Sequence, residues 1–466
     1  MLLQLKWRLT KNNVQSLFNT KINLDLFLGS AILILIVFPG LSWVSYFAIL
    51  ISIHQLLLLF YSIDHVIPIR YLFGVFMCIQ LLIGPVLAYN GLDQYQYFMY
   101  KMQVPEATYF SYALPAVICF IIGLHITAGR LKGEIIDENG IKSFVKSNPN
   151  LPLWFIGIGF FASFISNYFS SELAFIFYLL GGFKFIGAFL LILSGKKLKI
   201  VPLVLVYGSI LISSFGEGMF HDLLTWIIML GAVASLKYKP GINIKLIGGL
   251  SFILLALIIQ QVKGSYRTAT SQGRQASIET FQQVYNEGQA SNIFFNYRSL
   301  AASNVRINQG FIISHIMQTV PARVAYSNGT ELMQILEAAI LPRFLAPDKL
   351  RAGDRTIFSK YSGMPLKTGT SMGLSSIGDA YINFGVFGGC IFMFVLGLLY
   401  SEVLKAFHRY SKYYPVLLLF TPLVFYYPIR PDCELQTILG HLVKSCFLIY
   451  VVFLVWRRYF RESRES

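Results

Sequence analysis

The residues best suited to chemistry are the cations of one polar segment, residues 262–378, in a chain that is otherwise strongly apolar. This segment contains twelve of the 38 Lys and Arg residues. Because the planar guanidinium group matches phosphate oxygens bidentately, the surplus indicates an anionic ligand, most plausibly a lipid-linked phosphate at a membrane surface. The other interpretation, ordinary solvated charges, stays open. The candidate binding residues are Arg267, Arg298, Arg306, Arg343, Arg351 and Arg355.

Apolar helices must position this segment. Of the 466 residues, 55% are hydrophobic and 13% are charged, and the mean hydropathy is +0.61. A soluble domain carries about 25% charged residues, so the composition predicts an all-α polytopic membrane protein. Apolar windows of about 20 residues predict about twelve transmembrane helices. They lie at residues 24–39, 42–61, 71–89, 108–127, 151–169, 174–194, 201–215, 220–236, 246–261, 379–401, 415–429 and 435–456.

The predicted helices divide the chain into three parts. Residues 1–261 hold helices one to nine, residues 262–378 form a large and partly helical extracytoplasmic loop, and residues 379–466 hold helices ten to twelve with a short basic tail. With a cytoplasmic N-terminus, 22 cations fall in cytoplasmic segments and two in short outer loops. The positive-inside rule therefore predicts that both termini are cytoplasmic and that the long loop lies outside.

The ionisable residues that would lie well inside the bilayer are Lys184, His441 and Lys444. An ionisable group inside the bilayer is costly and suggests a function, although a hydrogen bond within the helix bundle or snorkelling is the other interpretation and is favoured for His441. We take His441 as a candidate substrate-binding residue. Arg430, in the turn before the last span, is another.

The sequence lacks the motifs that would imply a cofactor. It contains no Walker loop, no GxGxxG and no His pair with a carboxylate at metal-ligand spacing. Its five cysteines lie far apart without a CxxC pair. The sequence therefore predicts no cofactor and no metal. Membrane orientation accounts for most of the net charge of +16, so nucleic acid is not an expected partner.

The stretch from Pro342 to Gly389 resembles the Wzy-type O-antigen and oligosaccharide repeat-unit polymerases of bacterial inner membranes. About fifty residues carry this resemblance, and the layout of a dozen spans with a large late loop supports it. The matching features are the Pro-Arg pair at 342–343, Pro347, Lys349, the loop at 370–373, and the stretch 378–385 ahead of Gly388 and Gly389.

The resemblance implies a GT-C-like fold and a metal-independent glycosyltransferase that uses an undecaprenyl-diphosphate-linked oligosaccharide. Such an enzyme transfers the glycan to another lipid-linked repeat unit at the periplasmic face, and a chain-length regulator is a conceivable partner. In that chemistry Arg343 would stabilise the leaving diphosphate, Asp379 would be the base for the acceptor hydroxyl, and Tyr381 would stack on a sugar. Asp379 has a second interpretation, as a carboxylate that complements a helix dipole.

The sequence departs from this family in two ways. Some polymerases show Arg-x10-Gly repeats, whereas here only Lys367 and Gly378 meet that spacing, so Lys367 joins the candidates. Related O-antigen ligases place a His just before the tenth helix, where this chain has Ser375 and Ser376. A polymerase is therefore favoured over a ligase. A transporter or flippase, and a scaffold, remain alternatives, although transporters usually place polar residues near the membrane midplane.

Overall fold

The structure is a computed structural model that describes residues 21–92, 100–127, 136–169, 171–194, 200–218, 220–289, 301, 304–305, 307–341, 345–346, 348–351, 353–366 and 372–455. Within these ranges the regular elements are helices, and no strand occurs. We number them α1 (Lys21–Val37), α2 (Trp43–Ser62), α3 (Ile69–Leu92), α4 (Glu106–Ile126), α5 (Glu138–Ser147), α6 (Leu151–Ile165), α7 (Ser171–Gly181), α8 (Phe183–Leu193), α9 (Ile200–Glu217), α10 (His221–Tyr238), α11 (Ile242–Ser271), α12 (Ile278–Gln289), α13 (Gly310–Thr319), α14 (Thr330–Ile340), α15 (Arg355–Ser362), α16 (Ser376–Ser411), α17 (Pro415–Val424) and α18 (Leu435–Val455).

The chain is a helical membrane protein. Among the residues that the structure describes, eight helical stretches are long and apolar enough to cross a bilayer: α2, α3, α4, the pair α7–α8 from Ala174 to Leu193, α9, α11, α16 and α18. Three shorter apolar helices, Phe27–Val37, α6 and α17, coincide with further predicted spans. The predicted span 220–236 coincides with α10, which has 18 residues and is not among the eight.

Local sequence signals set several helix ends. Ser42 caps α2 by accepting a hydrogen bond from the amide of Ser45 at 3.2 Å. Pro105 precedes α4, whose first turn carries Glu106. The Ser42 cap satisfies an amide that a helix leaves unpaired at its start, and Glu106 complements the dipole of α4.

Helices α4 and α16 pack closely against each other. A Cβ atom added to Gly123 would lie 2.1 Å from the backbone oxygen of Phe394, and one added to Gly397 would lie 2.3 Å from that of Phe120. Small residues at these positions let the two backbones approach closely, which is a common way of packing helices in membranes. This contact fixes α16 against the rest of the bundle.

Helix α16 is broken at Gly385, where φ is +65° and ψ is −158°. An L-residue rarely adopts this conformation, so glycine is needed here. The phenol ring of Tyr326 packs against the break, 3.2 Å from the position that a Cβ would take. The first turns of α16, residues 376–384, therefore form a separate rod that starts at Ser376.

Within segment 262–378, α13 and the start of α14 pack onto this short rod. The side-chain oxygen of Asn383 accepts hydrogen bonds from the Leu332 amide at 3.1 Å and the Ser327 hydroxyl at 2.7 Å. Gln309 donates to the backbone oxygen of Gly373 at 3.1 Å. These contacts place α14 and the start of α16 side by side, at the end of the bundle where α18 also begins.

Candidate functional site

A cleft opens at this end of the bundle, between α14, α15 and the starts of α16 and α18. Its volume, including the open mouth, is 470 Å³. Four carboxylates line it, and we call them the carboxylate wall: Glu331, Asp354, Asp379 and Glu434. Each lies at the start of a helix, α14, α15, α16 and α18 respectively, where a negative charge complements the helix dipole. Apolar side chains and Gln436 form most of the remaining lining.

Two members of the carboxylate wall serve the local fold. Glu331 accepts hydrogen bonds from Lys360 at 3.0 Å and from the Tyr361 hydroxyl at 2.7 Å, which ties α14 to α15. Asp354 caps α15 by accepting from the amides of Thr356 and the following residue. Their hydrogen-bonding capacity is thus partly used within the protein.

Glu434 connects the start of α18 to the segment before α15. Its Oε1 atom accepts hydrogen bonds from the amide of Gly353 at 2.7 Å and from the hydroxyl of Thr437 at 2.9 Å. Burial raises the pKa of Glu434 above its ordinary value, and the nearby charge of Asp354 adds to this increase, while the two hydrogen bonds oppose it. This carboxyl is therefore held in the cleft wall in a largely desolvated position.

Asp379 has a carboxyl oxygen available for a ligand. The residue is only 6% exposed, and its Oδ2 atom accepts a hydrogen bond from the amide of Leu435 at 3.1 Å. Within the described part of the chain its Oδ1 atom has no hydrogen-bond partner. Because Asp379 lines the cleft, a hydroxyl group entering the cleft could donate to this oxygen.

Arg351 is the one cation among the described residues that line the cleft. Its side chain is exposed and forms no ion pair with any residue that the structure describes. Arg355, the first residue of α15, is also exposed but does not line the cleft. The cleft thus combines a partly unsatisfied carboxylate with an unpaired guanidinium.

Arg430 belongs to a second polar group. It is close in sequence to Glu434 but does not line the cleft. It forms an ion pair with Asp432 at 3.0 Å and lies over the ring of Tyr427 at 5.5 Å. Burial opposes the charged form of Asp432, yet the attraction of Arg430 outweighs it and lowers the pKa of Asp432. Arg430 is therefore already neutralised by a partner within the protein.

The same group contains His441 and connects to the start of α10. His441 is 2% exposed, with Nε2 at 2.8 Å from the backbone oxygen of Leu423 and its ring 4.9 Å from that of Tyr427. Asp222 accepts a hydrogen bond from the hydroxyl of Tyr426 and pairs with His221 at 2.6 Å. We call this group the paired cluster; its members are His221, Asp222, Tyr426, Tyr427, Arg430, Asp432 and His441.

The structure places the remaining described candidates away from the cleft lining. Arg267 donates from Nε to the backbone oxygen of Gly218 at 3.0 Å. Tyr381 is 5% exposed, and its ring lies 4.9 Å from that of Tyr112 and 5.9 Å from that of Tyr326. The span residues Lys184 and Lys444 each lie over aromatic rings. The candidates Arg298, Arg306, Arg343 and Lys367 lie outside the described residues.

Sequence reasoning did not single out Glu331 or Asp354 as residues of one site. The signal that could have found them is their position, since each lies at the start of a helix, where acidic residues are favoured. In the ranges that the structure describes, no group of three or more His, Cys, Asp or Glu residues is arranged to hold a metal ion.

These features define a helical membrane protein with a carboxylate-lined cleft at one end of its bundle. Over residues 43–425 the chain matches the family described as a domain of unknown function, DUF8712, and it belongs to that family. No curated protein and no solved structure matches the chain.

Proposed function

We propose that the protein is a polysaccharide repeat-unit polymerase, which transfers a glycan from undecaprenyl diphosphate onto another lipid-linked repeat unit. The observation that carries the proposal is the cleft, in which the buried carboxyl of Asp379 retains an unsatisfied oxygen and Arg351 has no ion-pair partner among the described residues. The reaction needs a base for the attacking hydroxyl and a cation for the leaving diphosphate. The resemblance of residues 342–389 to the Wzy-type polymerases supports the same activity.

In the proposed reaction, the acceptor hydroxyl gives its proton to Oδ1 of Asp379 while its oxygen bonds to the anomeric carbon of the donor glycan. The bond between that carbon and the diphosphate oxygen breaks, and the diphosphate leaves with the bonding electrons. A guanidinium group stabilises the negative charge that develops on this leaving group. The proposed reaction uses no metal, because arginine side chains provide the counter-charge.

The charges of the cleft suggest where each substrate binds. Carboxylates accept hydrogen bonds from sugar hydroxyls but repel a diphosphate, so we place the acceptor hydroxyl at Asp379, the member of the carboxylate wall whose Oδ1 atom has no described hydrogen-bond partner. The diphosphate then lies on the side of Arg351, with Arg355 close by in sequence. The candidates that would complete this anion site are Arg298, Arg306, Arg343 and Lys367.

The proposal includes the twelve-span topology in the bacterial inner membrane. Both termini would be cytoplasmic, and the cleft would face the periplasm, where lipid-linked repeat units are joined. The end of the bundle opposite the cleft supports this orientation, since it carries Lys142, Lys239 and Lys245 beside Glu138 and Asp64. Cations at the cytoplasmic ends of spans are the expected pattern.

A reconstituted transfer reaction tests the proposal. The purified protein in liposomes should convert an undecaprenyl-diphosphate-linked oligosaccharide into a ladder of longer glycans, visible on a gel or by mass spectrometry. Asp379→Asn should lower the rate of elongation by about 10²- to 10⁴-fold, because the amide cannot take the proton. The same variant should leave only single repeat units on the surface of cells.

Asp354→Asn is the matched control, because it neutralises another carboxylate of the same cleft while asparagine remains a good helix cap. It should elongate glycans at close to the wild-type rate. An unchanged ladder in Asp379→Asn would refute the assignment of the base. Transfer of finished polymer to a different acceptor would indicate a ligase, and movement of the lipid-linked glycan across the bilayer without elongation would indicate a flippase.

A further inference from the structure

Residues 434–436, at the start of α18, contact both Asp379 and the segment that carries Arg351. The amide of Leu435 donates to Asp379, while the side chains on either side of Leu435 reach the segment that carries Arg351. Glu434 accepts from the amide of Gly353 at 2.7 Å, and Gln436 donates from Nε2 to the backbone oxygen of Leu350 at 2.8 Å. These two hydrogen bonds fall on opposite sides of Arg351 in the chain.

Close to Arg351, Lys349 also donates from Nζ to the backbone oxygens of Ala338 and Leu341. In the described parts of residues 345–354 no helix occurs, and Gly353 adopts a φ of +72°, which directs its amide to Glu434. A short segment fixed at two points has little freedom between them. Glu434 and Gln436 thus hold the backbone immediately on either side of Arg351, the residue that carries the guanidinium.

We propose that Glu434 and Gln436 are positioning residues that hold the Arg351 segment against the cleft, so that the cation for the diphosphate and the base Asp379 are fixed by one helical turn. This inference rests on the proposed function for its catalytic consequence, but the holding contacts themselves can be measured without activity. Because consecutive residues 434–436 make all three contacts, displacing the start of α18 would shift both groups together.

The chain offers a matched pair of variants at position 434. Glu434→Gln keeps an acceptor oxygen for the Gly353 amide, whereas Glu434→Ala removes it. Hydrogen–deuterium exchange of the purified protein in nanodiscs should show about tenfold faster exchange at Gly353 in Glu434→Ala, the ratio expected for one lost hydrogen bond. Exchange in Glu434→Gln should stay within about twofold of the wild type.

The kinetic consequence separates a positioning role from a merely structural one. In the glycan-transfer reaction, Glu434→Ala should raise the KM for the lipid-diphosphate donor about tenfold and leave the KM for the acceptor unchanged, and Glu434→Gln should restore the wild-type values. Gln436→Leu provides a second test should Glu434→Ala fail to fold. It removes the hydrogen bond to Leu350 and should produce the same selective change in donor KM.

The exchange and kinetic results distinguish the two proposals. Wild-type exchange rates in both Glu434→Ala and Gln436→Leu would overturn the holding role of α18. Faster exchange with an unchanged donor KM would overturn the positioning of Arg351. If the wild-type protein itself lengthens no glycan, the proposed function fails, while the exchange rates still decide whether α18 holds the segment.

Discussion

The cleft and the paired cluster gather charged side chains at the same end of the bundle, yet they use charge in different ways. In the paired cluster, Arg430 and Asp432 neutralise each other and Asp222 is held by two side chains. The cleft begins only two residues further along the chain, at Glu434. There the four carboxylates of the carboxylate wall outnumber the single described cation, Arg351. The same residue types therefore serve structure in one region and remain available to a ligand in the other.

This difference teaches that the presence of an arginine at a membrane surface is weak evidence for ligand binding. A guanidinium with a carboxylate partner has already lost much of its attraction for an external anion. A guanidinium without a carboxylate partner keeps its attraction for an external anion. Whether the partner exists decides between the two interpretations of the same residue.

Among the variants that compare the two regions, the largest expected effect concerns Arg351. Arg351→Ala should lower kcat/KM for glycan transfer by about 10²- to 10³-fold, the loss typical of removing one group that stabilises developing charge. Because the side chain is exposed and unpaired, the free energy of unfolding should change by less than about 0.5 kcal/mol. Transfer kinetics and thermal unfolding of the same preparation measure both quantities.

Arg274→Ala is the control for the Arg351 variant, because it removes another exposed arginine, whose partner Glu287 is also exposed. It should leave transfer and stability near wild-type values. An Arg351→Ala variant that unfolds at a lower temperature without losing activity would erase the distinction between the two regions.

The paired cluster should show the opposite behaviour. Arg430→Ala should reduce the free energy of unfolding by about 1 to 3 kcal/mol, because it leaves Asp432 partly buried without its counter-charge. Replacing both residues, as Arg430→Met with Asp432→Leu, should recover much of this loss. Thermal unfolding checks the prediction, and equal stability of the single and double variants would show that the pair contributes nothing.

The smallest expected effect is a difference in pH dependence between Glu434 and Asp432. Burial raises the pKa of Glu434, so its contribution to stability is complete below its ordinary pKa and is lost as the pH rises through the raised value. Arg430 lowers the pKa of Asp432, so that contribution is present above the ordinary pKa and is lost as the pH falls through the lowered value.

Thermal unfolding as a function of pH measures these opposite slopes. Glu434→Gln should flatten the decline in melting temperature on the alkaline side of about pH 4, and Asp432→Asn should flatten the decline on the acid side. Parallel curves for the wild type and both variants would mean that neither carboxyl has a different pKa in the folded and unfolded protein.

Sequence reasoning established the membrane-helical class because apolar composition and window length depend on no tertiary contact. It also indicated that Asp379 starts a helix. It could not indicate that the Leu435 amide, 56 residues away, satisfies one oxygen of Asp379, or that Gly353 and Glu434 meet across 81 residues. Such pairings arise only when the helices pack.

Two glycines show the same limit. Gly385 and Gly389 are four residues apart, a spacing typical of a helix-packing face, and an added Cβ at Gly389 would meet the Tyr112 ring at 2.9 Å. Gly385 instead breaks the helix. Residue spacing identifies a position where a side chain is excluded, but it does not reveal whether close packing or a positive φ excludes it.

The break at Gly385 also bears on how the protein fits the thickness of its membrane. An unbroken α16 of 36 residues would be roughly 54 Å long, far more than the hydrocarbon core of about 30 Å. The residues after the break rise by roughly 39 Å, which a moderate tilt accommodates. The glycine therefore separates the length that must match the lipid from the short rod that carries Asp379, so the rod need not continue along the axis of the membrane-spanning part.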